Sequence, residues 1–150
     1  MTATLRKIQI DKPGGYDVLK LVEAPLPAVG DDEVLIEVKA CGVNYADGII
    51  RMGLYASAKE LHGYPITPGF ELSGVVSAVG AEVADFAVGD AVVALTLFGG
   101  YCSHIVLKAD RVFKKPANLS FAQAAALPTV FLTAWFMVSE QVMPKPGDAW

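Results

Sequence analysis

Val34-Leu35-Ile36-Glu37-Val38-Lys39-Ala40 is the stretch that decides the fold. Val34, Ile36, Val38 and Ala40 alternate with Leu35, Glu37 and Lys39. Successive side chains of an extended backbone point to opposite faces, so this period of two predicts a strand with one strongly buried face. Upstream, Thr4–Ile10 and Val18–Ala24 are apolar-rich runs parted by the turn cluster Asp11-Lys12-Pro13-Gly14-Gly15, and Pro25 and Pro27 end the second run. Downstream, Leu72–Val79 is a further run with Gly74 inside it and Gly80 at its end. Ala91–Phe98 and Tyr101–Lys108 flank Gly99-Gly100 and predict a hairpin, fed by a turn at Gly89-Asp90. Helix is expected at Asn44–Met52, stopped by Gly53, and as one turn around Ala56–Leu61. Many short strands between Gly-rich turns describe a mainly β fold, a small, partly open barrel or sandwich with short helices.

Composition bounds the function. A length of 150 residues suits one compact domain with a short attached segment. Apolar residues make up 53% of the chain and charged residues 19%, which excludes a disordered protein. Twelve Lys+Arg face sixteen Asp+Glu for a net charge of −4, with no basic run, so binding of nucleic acid by a cationic face is not expected. Cys41 and Cys102 form neither a disulfide framework nor a four-thiolate zinc site, and reduced thiols in a cytoplasmic protein are the expectation. The stretch Met1–Lys7 carries no apolar core of a secretion signal.

From Pro116 to Ser139 no residue is charged, a span of 24 positions with the length of a membrane helix. Asn118, Ser120, Gln123, Thr129, Thr133 and Pro128 interrupt it, and Ser120 to Gln123 has capping-box spacing. Two helices are therefore predicted, Phe121–Leu127 and a second opening at Pro128; a membrane span is the alternative. Phe131, Leu132, Trp135, Phe136, Met137 and Val138 surround the second helix, which requires a substantial surface to bury it. A loop at Pro144–Asp148 precedes Ala149-Trp150, which look like the first step of a new strand, and the chain is expected to be the front part of a larger protein.

The motifs stand in a recognisable order. Cys41-Gly42-Val43-Asn44-Tyr45-Ala46-Asp47 is followed by Arg51-Met52-Gly53-Leu54-Tyr55 and Pro68-Gly69-Phe70-Glu71-Leu72-Ser73-Gly74-Val75-Val76. Val88-Gly89-Asp90, Ala124-Ala125-Ala126-Leu127-Pro128 and Leu132-Thr133-Ala134 complete the set. Along nearly its whole length the chain resembles the N-terminal part of medium-chain dehydrogenase/reductases, in the zinc-free quinone oxidoreductase branch, and within it the vesicle amine transport protein 1-like subgroup. The resemblance implies a GroES-like catalytic domain over residues 1–119, then the helical start of a Rossmann domain over 120–150. It also implies NADPH as cofactor, bound mainly by the Rossmann part. No G-x-G-x-x-G is present, so the cofactor pyrophosphate has no cradle within the chain. The 150 residues alone are expected to be inactive.

The resemblance also assigns residues. Zinc-dependent relatives have a Cys ligand where Asn44 stands and a His ligand where Phe70 stands, so no zinc is expected. Hydrogen-bond donors must then stabilise the enolate left by hydride addition to a quinone or enone. Tyr55 is the candidate catalytic proton donor, and a tyrosine that merely lines the cleft is the alternative. Asn44 is assigned to the cofactor ribose and nicotinamide, against an ordinary helix N-cap. Thr133 is assigned to the nicotinamide carboxamide, against a back-bond to a carbonyl one turn earlier; Thr129 is read as structural. Asp47 and Arg51 are spaced for a helix ion pair, Glu71 is a carboxylate in need of a partner such as an arginine beyond the chain, and His62 and His104 carry no role.

The resulting expectation is an NADPH-dependent, zinc-independent oxidoreductase of quinones or α,β-unsaturated carbonyls, cytoplasmic and homodimeric through the helix that opens at Pro128. The rivals are an alcohol or aldehyde dehydrogenase, and a GroES-like module without turnover that acts through partners or membranes.

Overall fold

The computed structural model describes residues 4–142, 145 and 147. The strand expected at Ala149-Trp150, and most of the loop before it, lie outside the described residues. Strands β1 (Thr4–Gln9) and β2 (Lys20–Pro25) form an antiparallel ribbon, with Ile8 opposite Leu21. Then come β3 (Glu33–Cys41), α1 (Tyr45–Arg51), α2 (Ala56–Leu61), β4 (Glu71–Val79), β5 (Ala91–Leu95), β6 (His104–Lys108) and β7 (Val112–Lys114). Helices α3 (Phe121–Ala125) and α4 (Pro128–Phe136) follow, and a π-helical turn, Met137–Val142, extends α4.

The main sheet runs β6-β3-β4-β5-β7 with every neighbouring pair antiparallel, and it does not close. The fold is thus mainly β, with the expected open sheet and short helices. Val34 and Ile36 of β3, Leu72 and Val76 of β4, and Val92 and Ala94 of β5 are joined by Leu107 and Val112 in one buried cluster. Leu35 is buried beside Val34, so both faces of β3 are covered at that end. A second cluster of Ile10, Val18, Ile50, Ala58 and Ile66 ties α1 and α2 to the segment before β4.

The Gly99-Gly100 hairpin does not form. β5 lies between β4 and β7, whereas β6 pairs with β3 at the far side of the sheet. The two glycines serve a close crossing of two loops instead. Gly99 N–H donates to the Thr67 carbonyl (2.8 Å), Gly100 N–H to Gly69 (3.1 Å) and Tyr101 N–H to Pro68 (3.0 Å). A Cβ on Gly69, whose φ is +106°, would lie 2.8 Å from Gly100 Cα, so neither loop tolerates a side chain at the crossing. Side-chain-free backbone on both strands of the crossing is what the Gly-Gly pair provides.

The uncharged span folds as two helices. Ser120 Oγ accepts from Gln123 N–H (3.2 Å) and Gln123 Oε1 accepts from Ser120 N–H (2.9 Å), the expected capping box. Ser73 Oγ donates to the Phe121 carbonyl (2.6 Å) and Ala124 and Ala125 are buried, which seats α3 on the sheet. Among the described residues no helix is long and apolar enough to cross a membrane.

Candidate functional site

The site is assembled where β3 ends, α1 begins, β4 begins and α4 begins. β3 leads through Gly42 to Asn44, the N-cap of α1, whose extended backbone (φ −113°, ψ 154°) turns the chain into the helix. Gly42 N–H donates to the Glu71 carbonyl (3.2 Å), and a Cβ at Gly42 would sit 2.2 Å from Glu71 Oε1. Only a glycine lets the carboxylate occupy this place.

Glu71 is 2% exposed, and its partners lie within the chain rather than beyond it. Oε1 accepts from Asn44 Nδ2 (2.9 Å) and Oε2 accepts from the Thr129 N–H (2.7 Å). Pro128 opens α4 and has no N–H, so the next free donor of that helix start is Thr129, a group with no partner inside the helix. Thr133 Oγ1 donates to the Thr129 carbonyl (2.7 Å), the back-bond one turn earlier, while its residue stays exposed. Thr129 Oγ1 is buried and has no partner among the described residues. Asn44, Glu71, Thr129 and Thr133 therefore form one connected group.

Asp47 and Arg51 do not pair. Asp47, 6% exposed, turns back toward the helix start and accepts from Asn44 N–H (2.8 Å), Gly69 N–H (2.9 Å) and Tyr101 Oη (2.9 Å). Three fixed donors inside the protein outweigh one solvated ion pair, whose net worth is about 0–1 kcal/mol. Arg51 instead donates to the Gly14 carbonyl and lies over the Tyr16 ring, 4.4 Å from its centroid. Burial first, and then the bond to Asp47, push the Tyr101 phenol well above its ordinary range. Burial raises Cys102 to about 12, and burial and the nearby Asp47 raise Cys41. Neither thiol is poised as a nucleophile at neutral pH.

Tyr55 caps α2 and meets Phe70 edge-on, with ring centroids 5.9 Å apart. Phe70 in turn packs on Phe98 at 6.0 Å, and His62 packs on Phe98 at 5.7 Å. The Tyr55 hydroxyl has no hydrogen-bond partner among the described residues, and its ring meets Phe70, the neighbour of Glu71 in sequence. His104 Nδ1 lies 3.1 Å from Ser103 Oγ and His62 Nδ1 lies 3.0 Å from the Gly63 carbonyl. A cleft of about 530 Å³ lies beside β1 and β6 against Lys7, His62, Phe98 and His104, and neither Asn44 nor Thr133 lines it.

The sequence singled out Asn44, Tyr55 and Thr133 and marked Glu71 as a carboxylate in need of a partner, but not that Glu71 bridges Asn44 to the Thr129 N–H. The signal was present: a helix that starts with proline leaves an unpaired donor at its second residue, and Glu71 lacked a partner. At the two positions that hold ligands in zinc-dependent relatives, Asn44 spends its amide on Glu71 and Phe70 sits in an aromatic cluster. No group of three His, Cys, Asp or Glu able to hold a metal occurs among the described residues.

Residues 30–133 match the model of the alcohol dehydrogenase GroES-like domain, and the chain belongs to that family. Its relatives place it in the quinone oxidoreductase branch of the medium-chain dehydrogenase/reductases. It is 43% identical over 149 residues to the synaptic vesicle membrane protein VAT-1 homolog of Danio rerio, covering 99% of this chain and 30% of that protein. The solved quinone oxidoreductase of Coxiella burnetii superposes with a TM-score of 0.88 at 32% identity, over 96% of this chain and 47% of that one. The Escherichia coli quinone oxidoreductase, solved in complex with NADPH, does so with a TM-score of 0.82 at 36% identity, over 92% of this chain and 41% of that one. The chain spans less than half the length of the relatives it matches.

Proposed function

We propose that this chain is the catalytic domain of an NADPH-dependent, zinc-independent oxidoreductase that reduces quinones or α,β-unsaturated carbonyls. Residues 1–119 form that domain in this reading, and 120–150 begin a nucleotide-binding domain. The observation that carries it is the joining of Asn44 and Thr133, far apart in sequence, into one hydrogen-bonded group through Glu71. The similarity to an NADPH-bound quinone oxidoreductase supports the choice of cofactor. When bound, the cofactor supplies a hydride. Asn44 would orient its nicotinamide half, and Thr133 would exchange its back-bond for the cofactor amide. Phe70 and Phe98 would supply an apolar wall beside Tyr55. The Tyr55 hydroxyl, a neutral donor without a partner among the described residues, would deliver the proton that completes reduction of an enone. Asn44 and Phe70 in place of metal ligands support zinc independence. The free thiols fit a reducing, cytoplasmic setting, and the exposed face of α4 suits a homodimer.

The test is NADPH oxidation by the complete protein with a naphthoquinone and with a cyclic enone. Tyr55→Phe is expected to lower kcat for the enone roughly 10²–10⁴-fold, the worth of general acid catalysis. Unchanged kcat removes Tyr55 from the chemistry. A complete protein that turns over neither acceptor but binds lipid vesicles supports the second reading, a membrane-associated interaction module, which the apolar face of α4 favours.

A further inference from the structure

Glu71 is held more firmly than any surface carboxylate could be. Its backbone sits in β4, opposite Leu95 of β5, and its carbonyl accepts from Gly42 N–H (3.2 Å) on the other side. Its side chain, 2% exposed, fills the space that a Cβ on Gly42 would take. From this fixed base one oxygen takes the Asn44 amide (2.9 Å) and the other takes the first free N–H of α4 at Thr129 (2.7 Å). The chain of bonds goes on through the Thr129 peptide to the Thr133 hydroxyl (2.7 Å).

We propose that Glu71 is a positioning residue, a strut that fixes the Asn44 side chain and the start of α4 relative to one another and so sets the spacing of Asn44 and Thr133. The proposal rests on the reading of Asn44 and Thr133 as cofactor-facing residues. Without the strut, Asn44 is free to rotate among its rotamers, and α4 loses the contact that registers its first turn on the sheet. A carboxylate suits the role because it accepts on both oxygens at once. A glutamine cannot do so: its amide nitrogen would face one of the two donors.

Two measurements test this. In the isotope-labelled 150-residue chain, hydrogen exchange of the Asn44 side-chain amide is expected to be slowed at least about tenfold relative to the exposed Asn118 amide, the protection a hydrogen bond of this kind confers. That protection should vanish in Glu71→Ala and shrink in Glu71→Gln, the variant that keeps the volume should the alanine form fail to fold. Asn44 exchanging like Asn118, or protection surviving Glu71→Ala, overturns the strut. In the complete protein, Asn44→Ala and Glu71→Ala (or Glu71→Gln) should each weaken NADPH binding by about tenfold, and the double variant should be no weaker than the worse single one, because the two residues act as a unit. Additive losses overturn the proposal. Wild-type protein that binds no NADPH refutes the functional reading instead, and the exchange measurement still decides the strut.

Discussion

Strands β3 to β5 and helix α4 carry aliphatic and aromatic side chains at similar density, yet one region buries them and the other does not. Val34, Ile36, Leu72 and Val92 are 0% exposed, whereas Phe131, Leu132, Trp135 and Phe136 are 53–69% exposed. In the sheet, each strand supplies its neighbour with an apolar face. Helix α4 is tied to the sheet at its first turn, where Glu71 takes the Thr129 N–H, and among the described residues its later side chains, from Val130 to Phe136, stay largely exposed. Hydrophobicity in a sequence is therefore a demand for a partner rather than a report of burial. Glu71 makes the converse point: it is more buried than most aliphatic residues here because its donors come to it.

The largest expected effect breaks the comparison if it fails. Leu72→Ala removes a side chain that is 0% exposed and should cost roughly 2–5 kcal/mol in urea unfolding, the transfer term plus the cavity. A loss below about 1 kcal/mol would mean that the sheet core is loosely packed after all.

An intermediate effect sharpens it, because the perturbed thiol belongs to the β region, where half-buried Cys102 bridges Lys7 of β1. Cys102 titrates near 12 in the folded protein against an ordinary 9.0. A raised acid pKa means that the unfolded chain releases its proton first, so the folded state binds more protons between these values. Its contribution to stability is complete below pH 9 and is lost as pH climbs toward about 12, at no more than about 1.4 kcal/mol per pH unit. Denaturant melts from pH 8 to 11 should slope downward above 9, and Cys102→Ala should flatten part of that slope, with Cys41, Tyr64 and Tyr101, all raised as well, retaining the rest. An equal slope in wild type and variant would remove Cys102 as its source.

The smallest effect concerns α4. Trp135 is 69% exposed, and Trp135→Ser should change the stability of the monomer by no more than about 0.5 kcal/mol. Light scattering should show wild-type chain self-associating with rising concentration and the variant remaining monomeric, since exposed apolar faces of this kind become contact surfaces. A monomer at all concentrations would end the dimer proposal.

Much was legible in the chain. The alternation at Val34–Ala40 marked β3, Gly53 marked the stop of α1, and Ser120 with Gln123 marked the cap of α3, because each is a local rule enforced by residues a few positions apart. The reading failed where one pattern serves two purposes. Gly99-Gly100 signals a tight turn or a close approach of backbones, and nothing nearby in sequence distinguishes them; the carbonyls of residues 67 to 69 did. Asp47 and Arg51 obey the helix-pair spacing, but Gly69 and Tyr101 arrive from afar and claim the carboxylate.

Composition and local periodicity by themselves determined the mainly β character, the placement of most strands and helices, and the residue types available for chemistry, since these depend on backbone sterics and on neighbours within one or two turns. Strand order, the partners of the buried carboxylates and the link from Asn44 through Glu71 to Thr133 were decided only by tertiary structure. These depend on which donors meet which acceptors across 27 and 58 positions of chain, and a hydrogen bond at 2.7–2.9 Å is set by the packing of whole elements rather than by any spacing along the sequence.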